Sequence, residues 1–387
     1  MRIVMLLLND LTADTRVMKE ASALASVGWS VTVVCLRGEG LPDEEERDGY
    51  RVRRVAELTS ATPGNLIGKY VEMHRRNRAL VAAAVAETPD VVHCHDTDTL
   101  PAGGAVVRAT GAKLVYDAHE LFLDQISGHG RSRIARAHWA RVERRWIPCC
   151  DLRIAANEVR ARLLGERYGV GFESLQNLPA LESLADRGRL RHELGLPGDT
   201  PIVLYQGGLI PGRSLQRLVC AVAQVPGAHL VMQGSGSIEE RLRVTALEAG
   251  VADRVHFMGH IAPHELHSYA CGSNVGVVIY ENTSLNNYYA APNKLWAYLM
   301  AGIPVASSDF PGLRDVVRGD RVGVVFDPAS EASIAEALTG LSSDDDARGR
   351  MGERARRLAE ERYNWSIESK RLMDMYERLS ADGGAAQ

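Results

Sequence analysis

With 387 residues, 45% of them hydrophobic and 24% charged, the chain is long enough for two hydrophobic cores and too apolar to stay disordered. A formal net charge of −4 gives no global attraction to nucleic acid or anionic lipid. Ile3–Leu8 is too short for a signal peptide, no run reaches the roughly 18 apolar residues of a membrane span, and the cysteines lack C-x-x-C spacing, so a cytoplasmic protein without a thiolate zinc site is expected.

In chain order, Ile3–Leu8 reads as a buried parallel strand, Val17–Leu24 as a helix and Val31–Leu36 as a β-branched strand. Asp43–Asp48 reads as an acidic turn, Arg51–Val55 as a short strand and Tyr70–Ala86 as a long helix. Val91–His93 and Leu114–Tyr116 are strands, separated by a helix at Ala102–Arg108. A helix at Ile134–Trp146 and a strand at Leu152–Ala155 follow, and Asn157 is placed to cap a helix over Glu158–Leu164. Gln176–Gly198, polar and punctuated by Pro179 and Pro197, is the linker candidate. The pattern then restarts, with strands at Ile202–Tyr205, His229–Met232, Val255–Phe257, Val275–Ile279, Pro304–Ala306 and Val322–Phe326, and a helix at Leu215–Ala223. Alternation of this kind predicts two doubly wound α/β domains with a cleft between them and ligands beyond the carboxyl ends of the strands.

The turn after the first strand, Asn9-Asp10-Leu11-Thr12-Ala13-Asp14, holds no glycine. A dinucleotide-binding fingerprint is therefore absent there, and no P-loop motif occurs. Phosphate chemistry points instead to the second half. Gly207-Gly208 follows a strand, Arg213 precedes the next helix, and Ser214 is placed as its N-cap. Glycines allow close backbone approach, helix N-termini offer N–H groups, and a guanidinium binds phosphate in bidentate fashion. Gly234-Ser235-Gly236 repeats the arrangement, though such a turn alone is weak evidence. Lys294 stands in the first turn of a helix, where a cation costs on the order of a few tenths of a kcal/mol unless an anion is present.

At the end of a first-half strand lie His119 and Glu120. His93 and His95 alternate on another strand and share a face; metal ligation is one reading of them, but His95 and Asp96 read better as polar groups lining the cleft. Asp14, Thr15 and Arg16 open the first helix, Asp14 as N-cap or as a group facing an acceptor. The basic run Arg131–Trp146 reads as a solvated helix face or as an anionic-membrane contact.

PNKLWAYLMAGIPVASSDFPGLRDVV (292–317) and YQGGLIPGRSLQRLVCA (205–221) resemble the donor-binding and diphosphate-binding segments of family 4-type GT-B glycosyltransferases. NDLTADTRVMKEASALASVGWSVTVV (9–34) and KLVYDAHELF (113–122) resemble its acceptor-side motifs, and Trp365 with Leu372–Leu379 is similar to its terminal helix. The resemblance implies an acceptor-side domain at 1–180, completed by 364–387, and a nucleotide-sugar domain at 181–363. It implies a retaining transferase with a UDP- or GDP-type donor, a small-molecule or glycan acceptor, and no cofactor or metal. Arg213 and Lys294 would neutralise the diphosphate, with Gly207, Gly208, Gly234, Ser235, Gly236, Phe257, Tyr289, Ala290, Ala291, Pro292, Asn293 and Leu295 around the donor. His119 would approach the sugar or acceptor, with Asp14, Thr15, Arg16, His95, Asp96 and Glu120 on the acceptor side. A non-catalytic nucleotide-sugar-binding subunit and a nucleotide-sugar epimerase are the alternatives.

The family's pair of glutamates would fall at Tyr289 and Ala297, neither of them acidic, and many relatives carry an arginine where Gly208 stands. Glu281, Asn286 and Asn287 are the candidates to replace the lost carboxylate. Trp296 and Tyr298 flank Ala297, so the space beside it is expected to be filled.

Overall fold

The computed structural model describes residues 1–58, 66–127 and 133–381. The chain divides into two compact units, Met1–Asn177 with Glu368–Gln387, and Leu178–Ile367. In the first, β1 (Arg2–Leu6), β2 (Ser30–Arg37), β3 (Glu44–Arg47), β4 (Tyr50–Glu57), β5 (Val91–His95), β6 (Lys113–Ala118), β7 (Leu152–Ala155) and β8 (Glu173–Ser174) form one sheet, ordered β3-β4-β2-β1-β5-β6-β7-β8. Succession runs outward from β1 in one direction and from β5 in the other, which places the switch point between those two strands. Both are parallel and almost wholly buried, as strands covered on both faces by helices must be.

The stretch expected to be an acidic turn is instead the edge strand β3, antiparallel to β4. Asp48 and Gly49, both at positive φ, make the two-residue hairpin turn that such residues favour. Exposed Glu44 and Glu46 keep this edge charged, which discourages pairing with another chain. Asn157 caps its helix as expected, accepting from Arg160 N at 2.9 Å. From Glu368 the terminal helix Trp365–Ala381 belongs to this unit, burying Leu372, Met375, Tyr376 and Leu379; its expected extension beyond 381 lies outside the described residues.

In the second unit, β9 (Ile202–Gln206), β10 (His229–Gln233), β11 (Val255–Gly259), β12 (Val275–Val278), β13 (Val305–Ser308) and β14 (Gly323–Phe326) form a fully parallel sheet ordered β11-β10-β9-β12-β13-β14. Successive residues of β9 feed opposite cores. Ile202 and Leu204 enter one with Trp296 and Leu299, whereas Val203 and Tyr205 enter the other with Leu218 and Met232. The switch point lies between β9 and β12. The linker reading of Gln176–Gly198 holds only at its start, because the second unit begins at Leu178 and Arg189–Leu194 is a helix anchored by buried Leu190. Each unit is a doubly wound, Rossmann-like α/β layer.

Candidate functional site

The second unit's site grows from the switch point of its sheet. Past β9 the backbone turns at Gly207, with φ +141°, and a Cβ there would lie 2.9 Å from Lys294 Nζ. The missing side chain is what admits the lysine. Lys294 sits in the first turn of the helix Asn293–Met300, whose N-cap residue, Pro292, makes no side-chain capping bond. Its ammonium lies 3.9 Å from the Tyr205 ring centroid and 5.8 Å from that of Tyr280. Arg213 stacks on the other ring, its guanidinium carbon 3.9 Å from the Tyr280 centroid. Among the described residues neither cation has a carboxylate within ion-pair distance, and Arg213 Nη1 is buried without a hydrogen-bond partner. Burial, reinforced by the Arg213 charge, pushes the Lys294 amine well below the ordinary lysine range.

Two half-buried basic side chains held over aromatic faces, with no carboxylate among the described residues to neutralise them, form a receptor for an anion. A cation over a ring gains roughly 0.5–2 kcal/mol, which holds each side chain in place but does not cancel like-charge repulsion. The helix N-terminus beside Lys294 adds donors of the same polarity. Tyr205 and Tyr280 are the residues that sequence reading missed. A tyrosine at a strand's end beside a glycine turn carries little signal before its neighbours across the sheet are known.

The two glycine turns are stitched together. Gly207 N donates to Gln233 O at 2.8 Å, Leu209 N to Ser235 O at 3.0 Å, and Ile238 N to Leu209 O at 3.1 Å. A Cβ on Gly234 would collide with the Gly207 carbonyl, and one on Gly236 with the Leu209 carbonyl. Those glycines are accounted for by loop-on-loop packing. Gly208 differs: it is exposed, and a Cβ there would meet only the Ile210 side chain. Ser214 corrects its reading, making no side-chain cap and sitting at φ +46°. Its N–H and hydroxyl go to Glu281 at 3.1 and 3.4 Å, so Glu281 braces the loop that carries Arg213. Asn287 is tied to Thr283 at 3.0 Å.

Leu295 is also corrected, since it is fully buried in the core and only its backbone can serve a ligand. Ala290 is buried, Tyr289, Ala291 and Pro292 are half-buried, and Asn293 is exposed. Phe257 carries Arg243 on its ring at 4.3 Å. Ala297 is half-buried, as Ala291 and Pro292 are. Trp296 and Tyr298 point into the core, Tyr298 Oη donating to Leu204 O at 3.2 Å. Neighbours on a helix are about 100° apart and do not cover one another.

The first unit's site surrounds His119, just beyond β6. Its N–H donates to Asp96 Oδ1 at 3.0 Å and its Nε2 lies 3.0 Å from Asp117 Oδ2 and 3.1 Å from His95 Nδ1. Burial would lower its pKa, but the carboxylates of Asp96 and Asp117 outweigh burial and raise it to about 9. The imidazole is therefore cationic at neutral pH. Asp117 is itself gripped by Arg16, with Nε and Nη2 donating at 2.9 and 2.8 Å. Burial opposes its ionisation, yet the Arg16 and His119 charges hold it well below the usual carboxylate range.

This geometry corrects two acceptor-side expectations. Arg16 is 5% exposed and saturated by Asp117, Glu20 and the Leu175 carbonyl, and His95 is 1% exposed beneath His119. Neither meets solvent. Asp14 caps the helix Thr15–Ser26, accepting from Val17 N at 3.3 Å, and Thr15 is exposed. Glu120 pairs with Arg160 at 3.2 Å, while Arg160 also donates to the His119 carbonyl at 2.6 Å. In the basic segment Arg133, Arg136, Arg141, Arg144 and Arg145 are exposed; Arg131 lies outside the described residues. No described helix is long and apolar enough to cross a membrane.

Residues 13–176 match the profile Glycosyltransferase Family 4, and residues 186–358 match Glycosyl transferases group 1. The chain belongs to the family 4-like GT-B glycosyltransferases. This glycosyltransferase is 25% identical over 304 residues to a D-inositol 3-phosphate glycosyltransferase of Xylanimonas cellulosilytica, covering 74% of the chain and 71% of that relative. It is 29% identical over 195 residues to a GDP-mannose-dependent phosphatidylinositol monomannoside mannosyltransferase of Mycobacterium tuberculosis, with 49% and 50% covered. Its fold matches sucrose-phosphate synthase from Thermosynechococcus elongatus at TM-score 0.82 and 21% identity, covering 99% and 100% of the two chains. It also matches Anabaena HepE, solved with UDP and glucose, at 0.74 and 15%, covering 98% and 100%.

Proposed function

We infer that this glycosyltransferase moves a sugar from a nucleoside-diphosphate donor to an acceptor hydroxyl with retention of anomeric configuration. The observation that carries the reading is the pair Arg213 and Lys294, stacked on Tyr280 and Tyr205 without a carboxylate partner. As the bond from the anomeric carbon to the phosphate oxygen breaks, negative charge builds on the diphosphate, where preorganised cations stabilise it most. The bond to the acceptor oxygen forms on the same face, and the acceptor proton passes to the departing phosphate oxygen. This requires neither a protein nucleophile nor a cofactor. By the family resemblance His119 serves the sugar or the acceptor, and its cationic state supports a hydrogen-bond donor there.

One relative depends on GDP-mannose and one structural neighbour holds UDP, which nominates both nucleotides. The test is a thermal-shift panel of UDP, GDP, dTDP and their sugars with the full chain. One diphosphate series is expected to raise Tm by mass action, and Arg213→Ala to abolish the rise. No shift with any of them at millimolar concentration would refute the reading.

A further inference from the structure

Beneath His119 lies a cluster that the transfer reaction does not use. Glu20, His93, His95 and Asp117 come from the helix Thr15–Ser26, from β5 and from β6. Each offers a ligand atom, and those atoms all lie within 4.8 Å of one another. All four side chains are at most 1% exposed. His93 and His95, alternate residues of one strand, stack with centroids 4.2 Å apart.

The hydrogen-bond accounting is what makes the cluster unusual. The Nε2 atoms of His93 and His95 and both carboxylate oxygens of Glu20 are buried with no hydrogen-bond partner. Glu20 keeps only its ion pair to Arg16 Nε, at 2.9 Å. Buried polar atoms are nearly always satisfied, and a cluster in which both imidazoles and the Glu20 carboxylate keep an unpartnered atom calls for an occupant that accepts lone pairs. Neutral imidazole nitrogens and a carboxylate oxygen present lone pairs, which one metal ion can accept together. Burial holds both imidazoles below their ordinary pKa.

We propose that Glu20, His93 and His95 bind a divalent transition-metal ion of the zinc class, with Asp117 beside it. Two imidazoles and a carboxylate are the borderline ligand set that zinc accepts. The far side of each ring is already occupied. His93 Nδ1 is 2.8 Å from Tyr376 Oη, and His95 Nδ1 is 3.1 Å from His119 Nε2 and 3.6 Å from Asp117 Oδ2. Outer partners of this kind orient a ligating ring. Asp117 is largely committed to Arg16, so the three residues with orphaned atoms are the principal ligands. Burial pushes the Glu20 carboxyl up to about 8, so binding an ion there would release its proton, as ligation by carboxylates generally does. The ion would be structural, tying helix, β5 and β6 together under His119. Glu20 lies far from His93 in the chain, so the strand by itself shows only part of this ligand set.

Because the site is buried, metal must be offered while the chain folds. The untagged full-length chain would be produced in medium supplemented with Zn²⁺ or Co²⁺, passed through metal-free buffer, and assayed by elemental analysis and visible absorption. Refolding from denaturant with Co²⁺ provides a second route. About one ion per chain and ligand-field bands of a Co²⁺ centre with nitrogen ligands are expected. Glu20→Gln and His95→Asn should lose both, while Arg213→Ala in the other unit keeps them. A parent chain without metal by either route, or variants that all retain the parent's content, would overturn the proposal. If neither variant folds, the parent's metal content and spectrum still decide it.

Discussion

Replacing Lys294 with methionine keeps the length of the side chain and its contact with the Tyr205 ring while removing the charge. In the unliganded protein that charge is a burden. Burial and Arg213 depress the folded-state pKa, so between that value and the unfolded lysine value of about 10.4 the unfolded chain binds more protons. Parent stability therefore rises with pH across that window, and the variant lacks this rise. Lys294→Met should melt at or above the parent's temperature without ligand, with the gap largest at the lower pH. Toward a diphosphate the sign reverses. The variant loses a charge-assisted contact of about 1.5–3 kcal/mol, which is roughly 10- to 150-fold in affinity or in kcat/KM. Melting curves at neutral and alkaline pH, with and without the nucleotide identified by the panel, read both effects at once. A variant that keeps the full nucleotide-induced shift and turns over within about twofold of the parent would refute the anion-receptor argument.

His119→Ala should lower transfer strongly while leaving nucleotide affinity near the parent's. Its folded pKa of about 9 lies above the unfolded value near 6.5, so its stabilisation is fully present below pH ~6.5 and lost as pH rises through ~9; a parent-minus-variant stability difference flat across that range would contradict the carboxylate contacts. Ala297 is half-buried and keeps some exposure, so Ala297→Glu should fold with its carboxylate directed to solvent, and the added carboxylate should tighten donor binding. A large fall in Tm would show instead that the space beside Ala297 is filled.

Most strands were legible because each is a short β-branched or aliphatic run buried on both faces, and their alternation with helices announced two parallel sheets. β3 was not, because Glu44–Arg47 carries no apolar residue and exists as a strand only through the Asp48-Gly49 turn that folds it onto β4. In the second unit Arg213 was legible from its place after a glycine turn and Lys294 from the first turn of its helix, but the rings that hold them were not. In the first, His119 was legible, whereas its support was scattered over the helix that carries Arg16 and Glu20, over β5 and over Asp117 on β6. No local period connects those positions.

Glycine shows the same limit from the other side. Gly207, Gly208, Gly234 and Gly236 look alike in sequence, each in a turn beyond a strand, and the same spelling serves ligand approach and backbone approach. Geometry separates them. Gly234 and Gly236 abut carbonyls of the neighbouring turn, and Gly207 abuts the Lys294 ammonium, whereas Gly208 is exposed with room for a Cβ. The first three build the receptor, two by joining the turns and one by seating its cation, which leaves Gly208 as the glycine whose small size is still available to a ligand.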